Sequence, residues 1–153
     1  MKKCKLISLF LLRISLGWMF FYAGITKVLD PEWSAAGFLA HAKTFSGFYL
    51  WISESSFLPV INFLNEWGLL LIGLSLLSGT LVRLSSFFGA FLMILYYFPA
   101  LDFPLVGEHS YIVDEHIIYA FALISLGLLG AGKIYGLDKK ICEKIQDKCK
   151  WVC

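Results

Sequence analysis

Residues 6–29 read LISLFLLRISLGWMFFYAGITKVL. A helix that crosses a bilayer needs about 20 mostly apolar residues. This run supplies them, and its only charges are Arg13 and Lys27. Three more stretches read the same way: residues 57–78, 84–101 and 111–131. Gly79-Thr80, followed by Arg83, forms a tight turn between the second and third, so those two are antiparallel neighbours. Pro99 and Pro104 mark the end of the third.

The chain as a whole agrees. Its 153 residues are 59% hydrophobic and 16% charged, with a mean hydropathy of +0.75. Soluble domains carry about 25% charged residues, and a chain this short has too little interior to hide so much apolar surface. The excess faces lipid. Arg13 breaks the first apolar run and no small-x-small site follows, so the run reads as a span and not as a removed signal. The expected fold is all-α: an integral membrane four-helix bundle, one domain over residues 1–138, with a distinct tail at 139–153.

Charge gives the bundle a direction. Lys2, Lys3, Lys5, Arg83, Lys133, Lys139, Lys140, Lys144, Lys148 and Lys150 fall on one side of four spans. The other side has Lys27 and Lys43 among five acids, from Asp30 to Glu108. The positive-inside rule puts both termini in the cytoplasm of a multi-pass cell-membrane protein. Between the first two spans, Asp30-Pro31-Glu32 reads as a helix start. The aromatics Trp33, Phe38, Phe45, Phe48, Tyr49 and Trp51 then suggest an interfacial helical lid on the outer face. From Leu137, the apolar residues Ile141, Cys142, Ile145, Cys149, Val152 and Cys153 recur at helical spacing between lysines. That pattern is a basic amphipathic helix on the inner leaflet. Its cysteines read as reduced packing or lipidation sites before a redox centre.

Ionisable groups inside spans usually face the protein interior. Arg13, Gly17, Phe20, Gly24 and Lys27 share one helical face, and the glycines invite close approach of another helix. The cations lie about 21 Å apart along the axis. Lys27 either snorkels to the outer headgroups or lines a site; Arg13 either meets inner-leaflet phosphates or lines a site. Asn62, Asn65 and Glu66 form a polar patch on the second span. Glu66 pairs with Lys27 or His116, or acts chemically. Asp114-Glu115-His116 open the fourth span. His116 shares a face with Ala120, Leu123, Gly127 and Gly130 and points inward, while Asp114 and Glu115 cap the helix or join a site. Lys27, Glu66, Asp114, Glu115 and His116 all fall in the outer half of the bilayer. One polar pocket beneath the lid would hold them, and would bind an anionic or quinone-like head group and move protons. No metal-ligand spacing, Gly-rich nucleotide loop or nucleophile triad is present, and nothing points to nucleic acid.

The motifs also resemble a known family. Leu12-Arg13, Leu16-Gly17, Gly24-Ile25-Thr26-Lys27, Pro31 to Gly37, Asn62 to Gly73, Tyr96-Tyr97, Val113 to Ala120 and Ala131 to Asp138 are similar to the DoxX family. The likeness is greatest to its DoxD branch, the membrane subunit of thiosulfate:quinone oxidoreductase, and runs from about residue 9 to 138. It implies electron transfer from thiosulfate or another reduced sulfur compound to a membrane quinone acting as co-substrate, with a DoxA-like partner protein. On this reading Glu66, His116 and Asp114 or Glu115 handle protons, and Lys27, Arg13, Asn62 and Asn65 place the substrate or quinone. A non-catalytic scaffold for soluble redox or oxidative-stress partners, a small-molecule or lipid binder, and a homo-oligomer are the alternatives that the residues leave open.

Overall fold

The computed structural model describes residues 3–106 and 110–145. It is mostly helical. In chain order it runs α1 (Lys3–Val28), α2 (Ala36–Ala40), α3 (Ser46–Glu54), α4 (Leu58–Ser78), α5 (Val82–Ala100), a hairpin of β1 (Leu101–Asp102) and β2 (Leu105–Val106), α6 (Glu115–Leu128), a 3₁₀ turn at Ala131–Lys133, and α7 (Asp138–Ile145). Among the described residues three helices, α1, α4 and α5, are long and apolar enough to cross a membrane. Even the 19 residues of α5 extend about 28 Å.

The expected fourth span is shorter than its apolar run. Its helix, α6, has 14 residues, about 21 Å, against a hydrocarbon core of about 30 Å. The cause is local. Ile112 takes a left-handed φ of 59°, and Asp114 is extended and caps the helix by accepting the Ile117 amide at 3.2 Å. Gly130, at φ 63°, breaks the other end. The small antiparallel hairpin, with Leu101 opposite Val106, fills the connection before α6.

Small residues decide how the helices meet. A Cβ on Gly24 would fall on the backbone of Leu70, and one on Gly73 on the backbone of Phe21, so α1 and α4 touch backbone to backbone. On α5, Gly89 faces Leu123 of α6, and Gly127 of α6 faces Ser86 of α5. Leu16, Phe20, Leu69, Leu76, Met93, Ala120, Leu123 and Leu126 join the four helices in one core. The face of α1 expected to point inward does so: Arg13, Gly17, Phe20 and Gly24 are buried.

At the end of the molecule nearer the described termini, the α4–α5 turn is fixed from a distance. Gly79 ends α4 at φ 71°. Leu81 is left-handed, and its amide and that of Val82 donate to Asp138 at 2.6 and 3.1 Å. Asp138 thus caps α5 across 56 residues of sequence. Arg13 is fully buried beside this turn. It donates to the Ala131 carbonyl at 2.8 Å and the Tyr135 carbonyl at 3.3 Å, and lies over the Phe10 ring.

Two local expectations change. Asp30-Pro31-Glu32 does not begin a helix. Asp30 instead accepts the Glu32 amide in a turn, and α2 starts at Ala36, whose amide donates to Ser34 Oγ. In the tail, α7 covers Asp138–Ile145, while Lys148, Cys149, Lys150, Val152 and Cys153 lie outside the described residues. Cys142 is disulfide-bonded, not a reduced thiol.

Candidate functional site

The far end of the molecule holds a cleft of about 280 Å³ lined by Lys27, Trp33, Ser34, Ala35, Phe38, Asn65, Tyr96 and His116. Helices α1, α4, α5 and α6 each contribute one polar side chain. Residues 33–38, from the connection and α2, form the remaining wall.

Lys27 sits where two kinds of partner converge. Its Nζ donates to Asn65 Oδ1 at 3.2 Å. The same Nζ lies 4.8 Å from the Trp33 ring centre and 5.7 Å from that of Tyr96. Aromatic faces attract a cation, more so away from water. The ammonium therefore turns into the cleft and does not snorkel away. Asn65 is buried and fixes its height.

His116 is a second polar group of the lining. Its Nδ1 lies 2.5 Å from Asp114 Oδ2, and its ring meets Tyr96 edge-on at 6.0 Å. With Nδ1 engaged, Nε2 is the nitrogen left for a ligand. Asp114 does two tasks: one oxygen caps α6, the other orients the imidazole. Tyr96 packs against Phe38 as well. Its hydroxyl is buried beside Asn65 without a hydrogen bond of normal geometry. A buried polar atom left so is costly, and a ligand atom in the cleft would relieve it.

The wall from residues 33–38 is tied down by Asn62. Its Oδ1 accepts the Ala35 amide at 3.0 Å, and its Nδ2 donates to Ser34 Oγ at 3.2 Å. The Lys43 amide donates to the Pro99 carbonyl at 3.0 Å, and Thr44 Oγ1 donates to the Leu101 carbonyl, joining the same connection to the end of α5.

The eight residues singled out in the sequence therefore divide. Lys27, Asn65 and His116 meet in the cleft, Asp114 supports His116, and Asn62 anchors the wall. Glu66 is half-buried and within electrostatic reach of Lys27, yet forms no ion pair within 4.0 Å among the described residues. Glu115 is exposed on the first turn of α6. Arg13 is at the opposite end, engaged by carbonyl oxygens. Sequence reasoning set Trp33 and Phe38 in the lid over the pocket, and both line the cleft; it missed Tyr96 as a cleft residue, because an aromatic near a span end also fits the membrane interface.

A family model described as DoxX matches residues 8–100. That range covers most of α1 and all of α2 to α5, including Lys27, Asn65 and Tyr96; the blocks at Val113–Ala120 and Ala131–Asp138 lie beyond it. No solved structure matches the chain.

Proposed function

The chain belongs to the DoxX family, and from that premise we propose that it is a membrane subunit of a quinone-linked oxidoreductase, akin to the DoxD branch. It forms a four-helix unit in which α6 and its flanks complete the fourth crossing. Both termini face the cytoplasm, as the lysine distribution favours. The family suggests a membrane protein with redox or quinone-related roles. The reduced-sulfur donor, thiosulfate first, is the finer part of the reading.

One observation carries it: a lysine ammonium and an Asp-oriented imidazole line a single cleft walled by aromatic rings. A flat ring with carbonyl oxygens fits that arrangement. Lys27 stabilises negative charge on one oxygen as electrons arrive, and His116 hands a proton to an oxygen through Nε2. Asp114 keeps the ring turned. Electrons come from the sulfur donor through a partner protein.

The test is thiosulfate-dependent reduction of a quinone analogue by the purified protein, alone and with co-purifying partners. Lys27→Met and His116→Ala should each lower the rate by roughly 100-fold or more with the fold intact. Unchanged rates and unchanged quinone binding in both variants would overturn the reading.

A further inference from the structure

A second feature adjoins the cleft. Helices α4 and α5 share the tight turn at Gly79–Leu81, yet between them lies an apolar groove of about 720 Å³. Cleft and groove share one seam. On α4, Asn65 of the cleft is followed by Gly68, Ile72 and Ser75 of the groove, at helical spacings of three, four and three. On α5, Tyr96 of the cleft lies one turn beyond Leu92 of the groove.

Gly68 lies on α4 between Asn65 of the cleft and Ile72 of the groove. Gly17, Gly24, Gly73, Gly89 and Gly127 each face a neighbour that a Cβ would touch. At Gly68 nothing lies within 4 Å of a built Cβ, so no helix contact requires a glycine there. Glycine is also a poor helix former. What it provides at this point is open space beneath the polar cleft.

We infer that the ligand is an amphiphile: its compact polar head sits between Lys27 and His116, and its long apolar chain runs down the α4–α5 seam past Gly68. This rests on the head-group reading above and adds the path of the chain, the α4–α5 seam. Lipid tails are as apolar as the groove, so the chain gains little by leaving the bilayer. The seam acts by giving the chain a way out while the head is docked.

The experiment uses the full chain in lipid nanodiscs and two tritiated probes, a decyl-substituted benzoquinone and the same benzoquinone without the chain. Concentrations are expressed per lipid. Gly68→Leu and, separately, Leu71→Trp fill the seam; thermal denaturation checks folding. Each should weaken binding of the decyl probe by roughly tenfold, about 1.4 kcal/mol, and leave the chainless probe unchanged. Lys27→Met should weaken both probes. If Lys27→Met weakens both but neither seam variant distinguishes them, the chain does not use the seam and this inference fails alone. A phospholipid tail resident in the groove would give that same result. If Lys27→Met changes neither probe, the head-group reading fails and this inference with it.

Discussion

His116 Nδ1 lies 2.5 Å from one oxygen of Asp114, whose other oxygen accepts the Ile117 amide at 3.2 Å. One carboxylate thus starts α6 and aims the imidazole into the cleft. Asp114→Ala should remove both effects. The lost cap costs about 1 kcal/mol, whereas Asn caps nearly as well. Thermal denaturation in micelles should show Asp114→Ala below wild type and Asp114→Asn close to it. Head-group binding should fall in Asp114→Ala as in His116→Ala. Equal melting of the Ala and Asn variants would contradict the capping role.

Glycines of similar appearance should behave in opposite ways. Gly24→Ala or Gly73→Ala forces a methyl group onto the facing backbone and should cost about 1–3 kcal/mol. Gly68→Ala meets open space and should be neutral, or stabilising by up to about 1 kcal/mol. Reversible unfolding in mixed micelles reads the difference. A large loss at Gly68 would mean that packing, not space, selects the glycine.

Arg13 should prove structural. Arg13→Ala removes the guanidinium donor from the Tyr135 carbonyl and from the Ala131 carbonyl, which keeps the Ile134 amide, and should destabilise by about 3 kcal/mol. Arg13→Lys should rescue only part, because an ammonium lacks the planar fork that reaches both oxygens. Limited proteolysis should cut residues 132–145 sooner in Arg13→Ala. Quinone binding by the folded fraction should match wild type; its loss would return Arg13 to the ligand site.

Tyr96→Phe removes a buried hydroxyl that has no hydrogen bond of normal geometry. Without ligand, stability should hold or rise by about 1 kcal/mol. With the quinone probe present, affinity should fall by roughly threefold to tenfold. A destabilised, normally binding variant would show the hydroxyl to be structural.

Orientation is open to a direct test through Cys4, an exposed free thiol at the start of α1. In a variant with Cys142, Cys149 and Cys153 changed to serine, a membrane-impermeant maleimide should label Cys4 only after permeabilisation. Labelling of intact cells would place the N-terminus outside. The bond at Cys142 gives this measurement its edge, because disulfides are rare in the reducing cytosol, while the lysine distribution favours that side.

The sequence by itself determined the lipid-facing character of the chain, three of the four expected spans as helices long and apolar enough to cross a membrane, and the inward face of α1. Those follow from composition and from a period of 3.6, which any local window contains. It also singled out Lys27, Asn65 and His116 by the cost of polar groups in apolar runs. Only the tertiary structure decided their company. That Trp33 and Tyr96 wall the Lys27 ammonium, that Asp138 caps α5, and that Arg13 donates to the Ala131 and Tyr135 carbonyls all depend on contacts between distant segments. Hydropathy carries no record of such contacts. Gly68 shows the limit most plainly: its letter matches that of Gly24 and Gly73, and only the space around it tells an open position from a packing contact.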